Sequence, residues 1–103
     1  MRLELSAFIE SDLETIADHI AVDNPARAVT FIAEIRRAIR LIGRNPLSYQ
    51  LRPEIGDQAR MAVVGRYLIL FRIVQSTVRI ERVVYGGREL PALFVEEDSE
   101  NKP

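Results

Sequence analysis

The residues best suited to chemistry lie in the second half of the chain, where several arginines precede an acid and a phenol. Cleavage of a phosphodiester through a neighbouring hydroxyl needs a general base, a general acid and cations that stabilise the charge developing on phosphate. Glu81 could act as the base and Tyr85 as the acid. The candidate phosphate-binding cations are Arg60, Arg66, Arg72 and Arg82. A catalytic set, if there is one, would comprise Arg60, Arg82, Glu81 and Tyr85.

The spacing of these residues argues against a single catalytic surface. Side chains alternate between the two faces of a strand, so Glu81 and Tyr85 are expected on one face and Arg82 on the other. Lysine is absent from this region, and the C-terminal half has no histidine, the acid–base group best matched to neutral pH. We therefore interpret Tyr85 as a strand-end residue with a half-buried ring.

The remaining chemistry-bearing residues predict neither a metal site nor a cofactor. The chain has no cysteine, which excludes disulfides, thiolate chemistry and thiol-ligated zinc. The lone His19 lies among acids on a predicted helix and is interpreted as a surface or interface residue. Gly86 and Gly87 lack the following helix and the Lys-Ser/Thr pair of a phosphate-binding loop. We interpret them as a strand exit that lets Arg88 point outward.

The net charge of −1 conceals a strong separation of charge along the chain. Residues 1–26 carry a net charge of −5, residues 27–88 a net charge of +8 and residues 89–103 a net charge of −4. Thirteen of the fourteen basic residues are arginine, whose planar guanidinium favours bidentate contacts with phosphate or carboxylate. The middle segment therefore predicts an anionic partner, either nucleic acid or an acidic protein surface.

The length of 103 residues accommodates one domain with a modest core. The first residues show no secretory signal, and no apolar run approaches the ~20 residues of a membrane span. We expect a cytoplasmic protein with no membrane association. The predicted domain covers residues 1–94, and the acidic tail over residues 95–103 is expected to be disordered.

Hydrophobic periodicity predicts two helices behind a short N-terminal strand. The segment RLELS alternates as a strand does, and Ser11 is the expected N-cap of a first helix that ends near Asp23. Asp12, in the first turn, would complement the helix dipole. Asn24 followed by Pro25 begins a second helix directly after the first. Its buried stripe is predicted to be Ala28, Ile32, Ile35, Ile39 and Ile42.

Three strand-like runs follow a loop over residues 44–59: RMAVV (60–64), YLILFRIV (67–74) and VRIERVVY (78–85). The second run is apolar on both faces and is predicted to be central. Gln75, Ser76 and Thr77 form the expected hairpin turn. The element order β-α-α-β-β-β predicts an α+β fold in which a helical hairpin packs on one face of a small, mostly antiparallel sheet.

This order, together with several stretches, resembles the RelE/ParE toxin superfamily. The run IADHIAVDNPARAVTFIAEI (16–35) resembles the helical hairpin of ParE-type members. RPEIG (52–56) resembles the loop before their sheet, VGRYLILFRI (64–73) their central strand, and VRIERVVYGGREL (78–90) their last strand and the arginine after it. The resemblance is closest to the ParE branch, although Tyr85 stands where ParE members often have histidine.

The resemblance implies the toxin of a type II toxin–antitoxin module, of the plasmid-stabilisation kind. ParE-like members bind and inhibit DNA gyrase, whereas RelE-like members cleave mRNA on the ribosome. The expected partners are a cognate antitoxin, acidic or of the ribbon-helix-helix type, and either gyrase or, alternatively, the ribosome with its mRNA. A relative that only binds an antitoxin is a further alternative. A ParE-like toxin needs no general acid or general base, because it acts by binding. The absence of lysine from the sheet and of histidine from the C-terminal half therefore favours the ParE interpretation.

Under this reading, the arginine-rich sheet and the following segment form a binding surface. An acidic antitoxin would suit the positive middle of the chain, docking on a sheet edge or beside the helices. Apolar side chains after the sheet either contact the partner or pack on the domain. The predicted partner-binding residues are Arg60, Arg66, Arg72, Arg82, Tyr85, Arg88, Leu93 and Phe94.

Overall fold

The computed structural model describes residues 1–86, and the elements within it follow the predicted order β-α-α-β-β-β. The strands are β1 (Arg2–Leu5), β2 (Ala59–Val64), β3 (Tyr67–Val74) and β4 (Thr77–Tyr85). The helices are α1 (Ile9–Ala21) and α2 (Pro25–Arg44), with a short 3-10 helix at Pro46–Ser48. Within residues 1–86, no helix is both long and apolar enough to cross a bilayer. Gly87, Arg88, Leu93, Phe94 and the tail over residues 95–103 lie outside the described residues.

The four strands form one mixed sheet in the order β1-β4-β3-β2. β2, β3 and β4 form an antiparallel meander, and β1 runs parallel to β4 at the edge. The two helices therefore lie in the connection from the sheet edge back to β2, and they cover one face of the sheet. The prediction that β3 is an interior strand is confirmed. Gln75 and Ser76 both have positive φ, 49° and 64°, as a two-residue type I′ hairpin requires.

The junction of the helical hairpin forms as the sequence predicts. Asn24 has an extended backbone, and its side-chain oxygen accepts a hydrogen bond from the N–H of Arg27 at 3.0 Å. Pro25 occupies the first turn of α2, where its missing N–H costs nothing. The buried residues of α2 are Ala28, Phe31, Ile35, Ile39 and Ile42. Phe31 thus joins the predicted stripe, and Ile32 is only partly buried.

The predicted N-cap of α1 is wrong. Ser11 lies inside the helix, which begins at Ile9 without a side-chain cap. Ser6 orders this entry instead, because its hydroxyl accepts from the N–H of Phe8 at 3.2 Å and donates to the carbonyl of Glu81 at 2.6 Å. The helix therefore begins three residues earlier than an N-cap at Ser11 would place it.

Apolar side chains fill both faces of β3, which explains why its sequence is almost continuously hydrophobic. On the helix side, Ile69 and Phe71 join the main core with α1 and α2. On the outer side, Leu68 and Leu70 pack with Ile55 and other apolar residues beneath the loop that precedes β2. The domain thus has a main core below the helices and a smaller one below a loop.

A bulge in β4 overturns the predicted arrangement of Glu81, Arg82 and Tyr85. Phe71 pairs with Ile80 and Leu70 pairs with Arg82, so Glu81 is an extra residue with no partner across the ladder. A bulge of this kind breaks the alternation of side chains. Glu81 therefore contacts arginines on the outer face, while the ring of Tyr85 packs on Tyr67 toward the helix side. The expectation that they share a face is wrong.

Removal of the side chain at Asn24 tests the hairpin junction. Asn24→Ala should lower the free energy of unfolding by about 1 kcal/mol, because the N–H of Arg27 loses its acceptor. Asn24→Asp is the matched control and should keep nearly all of the stability, since aspartate caps equally well. Urea denaturation followed by circular dichroism measures both. Equal stability of Asn24→Ala and the wild type would contradict the role of this cap.

Candidate binding cleft

An open cleft of about 1000 Å³ lies between α1, the start of α2 and the end of the sheet at which β4 finishes. One wall is the exposed side of α1, and the opposite wall is the turn between β2 and β3. Arg82 to Tyr85 of β4 run along the cleft. Apolar and charged groups both line it, which suits a binding surface for a partner of mixed character.

A carboxylate from α1 joins the helix to the sheet along this cleft. The two oxygens of Asp12 accept hydrogen bonds from the guanidinium of Arg82 at 2.8 and 2.9 Å. One of these oxygens also accepts from the backbone N–H of Val83 at 3.0 Å. The ring of Phe8 lies 4.8 Å from the guanidinium carbon and completes its surroundings. The hydrogen bond with Asp12 raises the pKa of Arg82 above its ordinary value, so its positive charge is permanent.

The bond to Val83 has a topological cause. β1 pairs with β4 only over Thr77 to Ile80, so the last residues of β4 have no strand neighbour on that side among residues 1–86. An unpaired N–H at such an edge needs another acceptor. Asp12 supplies one at Val83. Along the rest of this edge, through Tyr85, no strand of residues 1–86 pairs with β4 on the side of the cleft.

Three aromatic rings form the apolar part of the cleft. Phe31 of α2 and Tyr67 of β3 have centroids 5.5 Å apart, and Tyr67 and Tyr85 have centroids 5.6 Å apart. Gly65, at the turn between β2 and β3, has a φ of +58° and would bring an added Cβ within 3.1 Å of Phe31. Burial, followed by the neighbouring Tyr85, raises the pKa of Tyr67. The Tyr67 phenol is therefore protonated at neutral pH.

Basic and ionisable side chains stand at the mouth of the cleft. Arg66, in the turn after β2, is exposed and has no ion pair among the described residues. Arg27 pairs with Glu34 and lies 5.0 Å from the ring of Phe31. His19 is exposed on α1 and lines the same cleft. An acidic partner that entered the cleft would meet Arg66 as an uncompensated charge.

The two remaining sheet candidates, Glu81 and Arg72, belong to a different surface. Glu81 is 9% exposed and accepts hydrogen bonds from Arg72 at 2.9 and 3.0 Å. Arg79 donates to the same carboxylate at 3.2 Å, and it lies 3.8 Å from Glu4 of β1. These four residues form a ladder of alternating charge across the outer face of the sheet. Both arginines donate to the carboxylate of Glu81, which lies on the face of the sheet opposite to Tyr85.

The structure therefore brings together only part of the predicted site. Arg66, Arg82 and Tyr85 line the cleft. Arg60 lies elsewhere on β2, where its guanidinium donates to the backbone carbonyl of Tyr49. Within residues 1–86, no group of three or more histidines, cysteines or acids is placed to hold a metal ion.

Sequence reasoning missed Asp12 as a site residue. It treated this acid as a partner of the helix dipole, since it lies in the first turn of α1. Its actual partner, Arg82, is 70 residues away along the chain. A local sequence pattern does not predict a contact between two residues so far apart along the chain. Tyr67 and Phe31 were likewise not identified as site residues.

The domain is thus a helical hairpin packed on one face of a four-stranded mixed sheet, with a cleft at the end of the last strand. A family model described as the ParE toxin of the type II toxin–antitoxin system parDE matches residues 3–90. The chain belongs to this family. The comparison with curated protein sequences gives no match.

Solved structures show the same fold. A chain of the chromosomal ParDE system from P. aeruginosa superposes with a TM-score of 0.74 at 20% identity, over 82% of this chain and 95% of that one. A chain of the RelBE2 toxin–antitoxin complex from Mycobacterium tuberculosis gives a TM-score of 0.58 at 24% identity, with the same two coverages, 82% and 95%. These two structures show that the fold is shared, and the family match over residues 3–90 confirms the resemblance to the ParE toxins.

The contact between α1 and β4 can be tested by removing its carboxylate. Asp12→Ala should lower the free energy of unfolding by about 2–3 kcal/mol, because it leaves Arg82 and the N–H of Val83 without an acceptor in a largely buried position. Glu10→Ala is the matched control on the same turn, and its exposed pair with Arg36 should contribute little. Urea denaturation of both variants gives the comparison. A similar effect of the two substitutions would contradict the role given to Asp12.

Proposed function

We propose that the chain is the cytoplasmic toxin of a type II toxin–antitoxin module, that it acts by binding and inhibiting DNA gyrase, and that a cognate antitoxin neutralises it. The observation that carries the proposal is the dispersal of the candidate catalytic groups. Glu81 is held between arginines on the outer face, Arg82 is bound by Asp12, and Tyr85 packs on an aromatic neighbour. Inhibition by binding requires none of these groups to move a proton.

The cleft provides a docking site for the antitoxin. An extended acidic segment could pair with the available edge of β4 beside Tyr85 and place apolar side chains against Phe31 and Tyr67. Its carboxylates would meet Arg66 at the mouth of the cleft. The fold shared with chains of the ParDE and RelBE2 complexes supports a partner of this kind.

A supercoiling assay tests the proposed target. Purified protein titrated into DNA gyrase and relaxed plasmid should stop the formation of supercoils as the protein reaches excess over the enzyme. Pre-incubation with the antitoxin encoded beside it should restore supercoiling. Undisturbed supercoiling at a large excess of folded protein would overturn gyrase inhibition.

The docking site is tested separately with the same antitoxin. Arg66→Glu should weaken antitoxin binding about tenfold or more, because it places a like charge against acidic residues of the partner. Arg40→Glu is the matched control, since Arg40 is an exposed arginine on α2 away from the cleft. Titration calorimetry of each variant measures the dissociation constant. Equal weakening by the two substitutions would show that net charge, and not the cleft, governs binding.

One observation favours the alternative of a ribosome-dependent endoribonuclease. Arg66, Arg82 and Tyr85 line one cleft, so two cations and a phenol could face a phosphodiester. Primer extension on an mRNA translated in a purified system tests this activity. Cleavage within the translated region would establish it, and intact mRNA at excess protein would remove it.

A further inference from the structure

β1 carries an incomplete ion-pair ladder to the edge of the sheet. On the outer face, Arg72 and Glu81 are paired at 2.9 Å, Glu81 and Arg79 at 3.2 Å, and Arg79 and Glu4 at 3.8 Å. The charge alternates at every step across three strands. The ladder ends at Glu4, whose side chain is 43% exposed and whose last contact is the longest of the three.

The edge beyond Glu4 is unoccupied among the described residues. β1 is the terminal strand of the sheet, and it pairs with β4 on one side only. Arg2 lies on the same face as Glu4 and has no ion pair among residues 1–86. Within residues 1–86, the strand thus presents one acid, Glu4, with a single weak partner and one base, Arg2, with no ion pair.

We propose that a second copy of this chain pairs with β1 antiparallel about a two-fold axis through Leu3. In this register, Arg2 of each copy lies opposite Glu4 of the other, and Leu3 lies opposite its own counterpart. The ladder of each copy then gains one further ion pair, from its Glu4 to Arg2 of the other copy. Opposite charges placed directly across antiparallel strands stabilise the pairing. This association goes beyond the proposed function, and its test does not depend on it.

The backbone of β1 is compatible with this register. The N–H of Ser6 donates to the carbonyl of Ile80 at 2.8 Å, so Ser6 faces β4. Backbone groups alternate in direction along a strand, so Leu3 and Leu5 present their N–H and carbonyl groups to the outside. A two-fold axis at Leu3 therefore places two outward-facing residues opposite each other, as a hydrogen-bonded antiparallel pair requires.

The neighbouring registers lack this complementarity. A two-fold axis at Glu4 would set two carboxylates directly against each other, which is unfavourable. An axis at Leu5 would leave Arg2 beyond the paired segment. The register through Leu3 gives both Arg2 and Glu4 a partner of opposite charge. It also gives hydrogen-bond partners to the outward-facing backbone groups of Leu3 and Leu5.

Apolar groups on the helix side of β1 support the same contact. Leu3 and Leu5 are 39% and 45% exposed, although both point to the face that carries the main core. Phe8, directly after the strand, is 58% exposed. Pairing of two β1 strands would bring Leu3 of each copy together and cover part of this surface.

The competing explanation is that the charges of Arg2 and Glu4 keep this edge single, as charged residues do on many edge strands. It predicts a monomer at every concentration. The two explanations therefore differ in a directly measurable quantity.

Sedimentation equilibrium of the protein without antitoxin tests the proposal. Its mass should rise with concentration from 11.7 kDa toward twice that value. Arg2→Glu and Glu4→Arg should each remain at the monomer mass, because each places like charges across the axis. Wild-type protein that stays monomeric up to about 1 mM, where even a weak interface is occupied, would overturn the proposal.

A mixture of the two charge variants gives the sharpest outcome. An equimolar mixture of Arg2→Glu and Glu4→Arg should associate again, since residue 2 of each variant then opposes an opposite charge at residue 4 of the other. Failure of the mixture to associate, while the wild type does, would overturn the register. Circular dichroism establishes that each variant is folded.

The opposite edge of the sheet supplies the control. Val63 is a 64% exposed residue of β2, which is the other terminal strand. Val63→Lys should associate as the wild type does. Loss of association in Val63→Lys, with Arg2→Glu unaffected, would assign the contact to β2 and overturn the proposal.

Discussion

The carboxylate of Asp12 is the interaction on which the arrangement of the cleft depends. It binds a side chain and a backbone N–H of β4 at once, so it fixes both the position of α1 and the end of the last strand. A charged pair in such a position contributes little net stability compared with an apolar replacement, but breaking it is costly. Its value to the molecule is therefore geometric. It orients Arg82 and accepts the hydrogen bond of one N–H at the edge of β4. Among residues 1–86, no strand pairs with the rest of that edge.

The bulge at Glu81 divides the charged residues of the sheet into two surfaces with different roles. Before the bulge, Arg79 lies on the outer face in the ladder with Glu4. After it, Val83 packs into the main core and Tyr85 reaches the aromatic wall of the cleft. One extra residue thus prevents an acid and a phenol, four positions apart, from working on the same substrate. This separation supports the proposal that the protein acts by binding.

The sequence predicted the fold well because its strongest signals are local. The Asn24-Pro25 junction specifies a helix start through one hydrogen bond and one fixed φ, and the apolar run of β3 specifies an interior strand. The site was predicted less well, because it depends on contacts between distant segments. The pairing of Asp12 with Arg82 and the bulge at Glu81 have no local signature. Strict alternation of side chains along β4 predicted that Glu81 and Tyr85 share a face. The bulge makes this prediction wrong, and the catalytic hypothesis depended on it.

We propose that the cleft surface acts by binding and not by acid–base catalysis. The phenol of Tyr85 distinguishes the binding hypothesis from the catalytic one, because Tyr85→Phe removes a proton donor and keeps the ring that packs on Tyr67. Growth of cells expressing Tyr85→Phe without antitoxin, compared with cells expressing the wild type at equal protein level, is the most direct measurement. We expect the same growth arrest from both proteins. Full relief of arrest by the folded variant would contradict the claim and favour catalysis.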